Sequence, residues 1–256
     1  MTAPGALHLV PNTLDFGAPG APAPLDELLP RSVIRIAAGL GHWVCENAKT
    51  TRAFLKRVDA VCPLGRPLQE LSIVELPRPN KGREVAPGPA AVDALLAPAR
   101  AGHDLGLLSE AGLPALADPG AALVAAAHAA GIAVVSHPGA SAIALAVAAS
   151  GLNGQSFAFV GYIPVPGEER AARIRVLEAA SRRDAETQIL IETPYRNLAL
   201  LDALLANLQP TTRLSVSVGL TLPGGFTRSD NVAKWRQRPT PLPADVPAVF
   251  ALLAGR

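Results

Sequence analysis

The 256-residue chain is poor in aromatic side chains, with two Trp, two Tyr and six Phe, and it has only two cysteines, Cys45 and Cys62. So few thiols exclude a disulfide framework, and their separation fits no metal-ligand pattern, as expected for a reducing compartment. No run reaches the roughly 18 apolar residues that a membrane-spanning helix needs. The most apolar stretch, Ala111 to Leu152, is broken by Asp118, Pro119, His128 and Pro138. Between Met1 and Val10 no basic cluster leads into an apolar core, so no secretory signal is expected and the chain reads as cytoplasmic. The five histidines, His8, His42, His103, His128 and His137, lack metal-ligand spacing, so no metal is expected. Neither a P-loop nor a G-x-S-x-G elbow occurs, which removes support for NTPase and serine-hydrolase readings.

A dominant charge sign is also missing. With 23 Lys and Arg against 21 Asp and Glu, the net charge is +2, too mild by itself to indicate nucleic acid. Arg170, Arg173, Arg175, Arg182 and Arg183 do gather along one predicted helix and its end. They read as a solvated helix face, or more sharply as a surface that contacts phosphate.

What the chain does have is aliphatic residues in alternating patterns. Apolar residues make up 49% of it, enough for a sizeable core built from helices packed on strands. Short β-branched runs alternate with Ala- and Leu-rich stretches, the pattern of an α/β fold with a largely parallel sheet. Strands are predicted at Leu7–Val10, Val33–Ala37, Asp104–Leu108 and Ile132–Ser136, then at Phe157–Gly161, Gln188–Glu192, Leu214–Val218 and Ala248–Leu252. Helical periodicity predicts Lys49–Val58, Ala90–Arg100, Ala121–Ala130, Ala142–Ser150, Glu168–Ala180 and Asn197–Leu208. Pro98 is expected to end or kink the second helix. The stretches Gly17–Pro24 and Pro77–Pro89, rich in Gly and Pro, read as flexible loops. The Pro-Gly turn near His137–Gly139 divides the chain into domains 1–138 and 139–256.

The most informative stretch is Leu107–Gly120, LLSEAGLPALADPG. A buried strand runs into Ser109-Glu110-Ala111-Gly112, where small residues let a ligand approach the backbone. Asp118 and Pro119 read as the N-cap and first residue of the next helix. The stretch has no G-x-G-x-x-G spacing, and alone it reads equally well as a tight turn without a ligand. His137-Pro138-Gly139-Ala140-Ser141-Ala142 repeats the theme, a strand end followed by small residues and a helix.

Taken together, SEAGLPALADPG, PGASAIALAVAASGL and GYIP resemble the tetrapyrrole methylase family. Within it they are most similar to the branch that 2′-O-methylates a cytidine of small-subunit ribosomal RNA. CENAKTTRAFLKRV (Cys45–Val58) and IETPYRNLALLDAL (Ile191–Leu204) extend the resemblance, which spans roughly residues 7 to 250 in family order. It implies a two-domain α/β fold, with a parallel sheet in the first domain and a mixed sheet in the second. It also implies a homodimer and S-adenosyl-L-methionine held in the cleft between the domains. Carried over by position, Ala111, Gly112, Leu113 and Leu116 line the methionine and adenosine pocket. Ser141 and Ala142 lie at the cofactor's amino-acid end, and Tyr162, Ile163, Pro194 and Leu220 wall the adenine.

The chain departs from that branch in places. Val10-Pro11-Asn12-Thr13-Leu14-Asp15 replaces the branch's longer Thr-Pro-Ile-Gly-Asn-Leu-Gly-Asp loop. Glu46-Asn47 with Lys49 stands where the branch has Glu-Asp and Arg, and an Arg-to-Lys exchange is not neutral where a planar fork is needed. Val218-Gly219-Leu220-Thr221-Leu222 lacks the charges of Arg-Glu-Leu-Thr-Lys. The chain therefore reads as a shorter sister group.

Methyl transfer from a sulfonium needs alignment above all, and needs a base only for a protonated acceptor. Glu46, Glu110 and Glu192 are candidate bases. Glu110 leads because it ends a buried strand, and its plain alternative is a carboxylate satisfied by loop N–H groups. Glu46 reads equally as a carboxylate complementing a helix dipole. Lys49, Tyr195 and Arg196 are candidates to orient an anionic or nucleotide acceptor, although Arg196 also fits as a buried partner of a glutamate. Trp43 and Trp235 read as packing residues. The favoured acceptor is ribosomal RNA. A small metabolite or tetrapyrrole-like ring, and a cofactor-binding protein without catalysis, stand as alternatives.

Overall fold

The computed structural model describes residues 3–15, 22–77 and 89–255, which form two compact units, 3–15 with 22–140 and 141–255. Most of the two Gly/Pro-rich stretches, residues 17–21 and 78–88, lies outside the described residues.

In the first unit the elements run β1 (Leu7–Val10), α1 (Leu25–Leu28), α2 (Arg31–Gly39), β2 (His42–Cys45), α3 (Ala48–Val61), β3 (Ser72–Glu75), α4 (Pro89–Leu95), α5 (Ala97–Arg100), β4 (Leu105–Leu108), α6 (Ala121–Ala129) and β5 (Val134–Ser136). The strands form one sheet in the order β3-β2-β4-β1-β5, and every pairing is parallel. All four residues of β4 are buried, as expected of a central strand covered on both faces. Side chains alternate across the sheet. Leu7, Val44, Leu105 and Leu107 join the core beneath α4 to α6, and Val10, Trp43, Cys45 and Leu108 join the core beneath α1 to α3. Gly106 sits opposite Trp43 in register, and a Cβ there would come within 2.6 Å of the indole. The glycine is thus what lets a buried Trp lie across the central strands.

Val33–Ala37 is part of helix α2 and not the predicted strand. Its β-branched content suggests a strand, but the buried residues are Val33, Ile34, Ala37 and Ala38, a helical spacing. A strand would have driven Arg35 into the core alongside Val33 and Ala37. Two strands escaped prediction here, β2 and β3, each only four residues long. The predicted Ala90–Arg100 helix is interrupted at Leu96 into α4 and α5, with Pro98 in the first turn of the second piece.

The second unit runs α7 (Ala142–Ser150), β6 (Phe157–Gly161), α8 (Gly167–Asp184), β7 (Thr187–Glu192), a short helical turn (Pro194–Arg196), α9 (Asn197–Asn207), β8 (Arg213–Val218), β9 (Phe226–Asn231), α10 (Val232–Gln237) and β10 (Ala248–Leu253). Its sheet, in the order β6-β7-β10-β8-β9, is mixed. The β6–β7 pair is parallel and the other pairings are antiparallel. Polar β9 (FTRSDN) is a strand the sequence pattern does not predict, because an edge strand partly open to water shows no apolar alternation. Helix α7 begins at Ser141, whose hydroxyl accepts from the Ala144 N–H, and ends at left-handed Gly151. Trp235 is fully buried and donates to the Leu214 carbonyl, and Trp43 donates to that of Leu40. Both are packing residues.

Of the five arginines of α8, one is buried and Arg173, Arg175, Arg182 and Arg183 are exposed. Arg170 is buried against Glu192 and donates to the Pro164 carbonyl. Arg175 binds the Asn207 side chain, Arg182 the Gly255 carbonyl and Arg183 the neighbouring Asp184. No helix among the described residues is long and apolar enough to cross a membrane.

Candidate functional site

Register places the site. Val10, Leu108 and Cys45 are aligned neighbours at the carboxyl ends of β1, β4 and β2, so the residues that follow them emerge side by side. Ligands of open α/β sheets bind outside such strand ends. The converging segments are Pro11–Asp15, Ser109–Gly120 and Glu46–Asn47.

Asn12, which the sequence placed only in a shortened loop, ties these segments together. Its buried side-chain amide donates to the carbonyl oxygens of Ser109 and Glu110, each at 3.1 Å, and its backbone N–H donates to the Gly112 carbonyl at 2.8 Å. Arg57 of α3 steadies the same loop from beneath, pairing with Asp15 at 3.1 Å and donating to the Thr13 hydroxyl and the Ala23 carbonyl.

The strand-to-helix segment is tightly turned. Gly112, Ala115, Ala117 and Gly120 all have positive φ, and for the two alanines this costs roughly 1 kcal/mol each. A side chain at Gly112 would start 3.3 Å from Leu14 and 3.5 Å from the Ala140 carbonyl. Leu113 and Leu116 project from this segment into an open, mainly apolar pocket of about 440 Å³, lined also by Leu9, Val124, His128 and Ser136. Helix α6 starts after Gly120, which sits at its N-cap without a side-chain cap bond. Asp118 is therefore not the cap that its place before Pro119 suggested.

Instead, Asp118 feels the charges of Glu46 and Glu110. Burial first, then the nearby Glu46 and Glu110 charges, push its carboxyl up to about 7, while the Ser109 hydroxyl works in the opposite direction. Glu46 lies one residue before the true N-cap of α3, Asn47, which accepts from Lys49 and Thr50 N–H groups. Rather than serving that helix end, a Glu46 oxygen accepts the Glu110 N–H at 3.2 Å. The Thr50 hydroxyl donates to Glu110 Oε1 at 3.3 Å. Glu46, Glu110, Thr50, Ala111 and Gly112 are thus brought together. Lys49 is exposed on the first turn of α3. Among the described residues no group of His, Cys, Asp or Glu is placed to hold a metal ion.

The remaining candidates lie in the second unit. Ser141 caps α7, and Ala142 and Leu220 both pack against the cluster of Ile143, Val147, Ile189 and Val249. Ile163 buries its side chain in the opposite core with Ile174 and Leu190, while Tyr162 stays 62% exposed. Pro194 opens the turn that carries Tyr195, 71% exposed, beneath the Arg196 guanidinium at 5.1 Å. Arg196 also pairs with Glu192 at 3.3 Å, and Glu192 meets Arg170 at 3.7 Å on its other oxygen. Glu192 is therefore fully engaged in a buried ion-pair network.

A histidine pair also went unforeseen. His8 Nδ1 lies 2.9 Å from His137 Nε2, so one ring must donate and the other accept. Burial and the neighbouring His8 hold His137 below the usual imidazole range. His8 and His137 stand far apart in sequence, and only the parallel β1–β5 pairing joins them.

The sequence profile of the family Tetrapyrrole (Corrin/Porphyrin) Methylases matches residues 33–231. The protein named Ribosomal RNA small subunit methyltransferase I of Synechocystis sp. is 39% identical over 127 residues, covering 50% of this chain and 44% of that protein. Its namesake in Micromonospora olivasterospora is 41% identical over 112 residues, covering 44% and 34%. That of Xylella fastidiosa is 30% identical over 196 residues, covering 77% and 61%. The chain thus spans less than half the length of the first two relatives and under two thirds of the third. Among solved structures, the cobalamin-synthesis-related protein CobF of Corynebacterium diphtheriae superposes with a TM-score of 0.57 at 16% identity, covering 98% of this chain and 99% of that one. The methyltransferase CobJ gives 0.55 at 16% identity, covering 98% and 95%. Both likenesses concern the fold.

Proposed function

The chain belongs to the tetrapyrrole (corrin/porphyrin) methylase family, and from that premise we propose that it transfers methyl from S-adenosylmethionine to a ribose 2′-hydroxyl of small-subunit ribosomal RNA. The observation that carries this reading is the similarity to proteins named for methylating small-subunit ribosomal RNA, at 39% and 41% identity.

The residues at the sheet's carboxyl end suit the donor. Ala111 and Gly112 keep the backbone bare, and at Gly112 a Cβ would already press on Leu14. When bound, S-adenosylmethionine supplies a methyl group activated by its own sulfonium charge, so alignment is the chief demand on the protein. In this reading Ala111, Gly112, Leu113 and Leu116 hold the donor. Glu110, oriented by the Thr50 hydroxyl, accepts the proton released as the acceptor oxygen attacks. Lys49 and Tyr195 contact the acceptor, and Arg196 braces Tyr195 from its pairing with Glu192. The roles of Ser141, Ala142, Tyr162, Ile163, Pro194 and Leu220 rest on the family resemblance. A homodimer in the cytoplasm completes the proposal, and sedimentation velocity tests its dimeric state.

Calorimetric titration with S-adenosylmethionine and S-adenosylhomocysteine is the direct test. Micromolar binding of both, followed by transfer of labelled methyl to small ribosomal subunits lacking the modification, is the expected outcome. Folded protein that binds neither at millimolar ligand would end the methyltransferase reading. Donor binding without transfer to the subunits would remove the RNA acceptor alone.

A further inference from the structure

Several exposed cations of this chain stand beside a carboxylate: Arg31 beside Asp26, Arg100 beside Asp93, Arg183 beside Asp184 and Lys234 beside Asp230. Around the turn Leu208–Thr212, which leads from α9 into β8, the pattern differs. Three exposed arginines surround it, Arg175, Arg182 and Arg236. Among the described residues no carboxylate lies within ion-pair distance of any of them.

Each is anchored instead by neutral acceptors. Arg175 of α8 donates to the Asn207 side-chain oxygen at 3.1 Å. Arg236 of α10 donates from Nε to the Leu205 carbonyl and from Nη2 to the Leu208 carbonyl, each at 2.9 Å. Arg182 lies two turns of α8 beyond Arg175, on the same flank, and donates from Nε to the Gly255 carbonyl at 3.3 Å. Gly255 sits against the turn, since a Cβ there would come within 3.6 Å of the Thr211 carbonyl. Gln209, Pro210 and Thr211 are exposed between the three arginines. Glu178 braces the turn from within, buried and accepting from the Gln209 N–H and the Thr212 hydroxyl.

These bonds orient the guanidiniums without discharging them. A guanidinium has five N–H donors, and Arg175 and Arg182 each spend one on the acceptors named. What remains is a planar charged fork, the geometry that takes a phosphate through two parallel bonds. Residues 175 and 182 are about 10 Å apart along the helix axis, and Arg236 stands on another element. That spread suits the successive phosphates of a chain rather than one small anion. We propose that Arg175, Arg182 and Arg236 form a contact surface for the phosphate backbone of RNA, lying wholly within the second unit. The choice of RNA as the phosphate chain rests on the ribosomal RNA reading. Such contacts position a strand without reading its bases.

Fluorescence anisotropy of a labelled single-stranded RNA, followed through a salt series with the whole chain, tests the surface. Each phosphate contact to a single strand adds about 0.7 to the slope of log affinity against log salt. Arg175→Gln combined with Arg182→Gln is expected to lower that slope by about 1.4 and to weaken binding roughly twentyfold at about 0.1 M salt. The circular dichroism of the parent is expected to persist. Adding Arg236→Gln is expected to bring the fall to about 2. Arg236 also closes the end of α9, so the double variant decides if the triple one does not fold. Exposed Arg173 lies on the opposite flank of α8, and Arg173→Gln is expected to leave the slope unmoved. Four results would each overturn the surface: a parent protein that binds no RNA at low salt, an unchanged slope in the double variant, equal losses from Arg173→Gln and Arg175→Gln, or polyglutamate bound as tightly as RNA. Methyl transfer is read separately. Transfer to ribosomal subunits with an unchanged slope in the double variant removes this surface and keeps the methyltransferase reading. A lowered slope without transfer keeps the surface and removes the acceptor.

Discussion

The side-chain amide of Asn12 holds the carbonyl oxygens of Ser109 and Glu110 together, both at 3.1 Å. One buried residue at the exit of β1 thereby sets the path of the chain leaving β4, and with it the position of the Glu110 carboxylate. Asn12→Ala leaves two carbonyls without their donor and is expected to cost about 2 kcal/mol. Urea unfolding should show a lower midpoint with an unchanged slope. Faster amide exchange should be confined to the segments joined by Asn12. A midpoint equal to that of the parent protein would show that water replaces the amide without loss.

Gly112 combines a φ of +70° with close neighbours on its side-chain direction. Gly112→Val is expected to cost about 1–2 kcal/mol from backbone conformation and to leave the circular dichroism of the native protein. Its S-adenosylmethionine affinity, read by calorimetry, is expected to vanish. Unchanged affinity in the folded variant would remove this loop from the cofactor site.

Asp118 gives stability a distinctive pH dependence. Its carboxyl is raised to about 7 in the folded protein, against about 3.9 in an unfolded chain. The folded state therefore holds the proton more tightly. Its advantage is full below about pH 4 and declines as pH rises towards 7, then levels. Asp118→Asn escapes that decline. Discounted for partial solvent screening, its gain is about 1 kcal/mol at pH 8, or roughly 2–4 °C in melting temperature. The two proteins should converge towards pH 4, and a constant difference across the range would refute the assignment.

Glu192 lies buried between Arg170 and Arg196. Glu192→Gln leaves the buried Arg170 guanidinium without a counter-charge and is expected to cost about 3 kcal/mol. Arg196→Gln should cost less, because that guanidinium is partly in water and Arg170 still matches Glu192. Denaturant midpoints of the two variants give the order, and equal losses would make Arg196 the dominant partner.

Much of the fold was legible along the chain, and the misses have physical causes. Strands such as Phe157–Gly161, and helices such as Ala142–Ser150, show their period locally, and both stand where the sequence pattern placed them. Val33–Ala37 carries the β-branching of a strand but the burial spacing of a helix, and the polar strand Phe226–Asn231 is held by pairing with β8 rather than by its own pattern. In the site, Glu110, Ala111 and Gly112 stood out because small residues follow a buried strand. Asp118 looked like a cap, since a Pro behind an Asp signals a helix start, and the preference was overridden by the path of the turn that precedes α6.

By itself the sequence determined the α/β class, the family and the small-residue loop after β4, because each is written in local pattern or contiguous motif. Only the tertiary structure decided that Asn12 meets Glu110, that His8 meets His137, and that the Glu46 charge acts on Asp118. Those relations depend on which parallel strands lie side by side and in what register. Strand order is settled by burial of both sheet faces across distant segments, and no local run of residues records it.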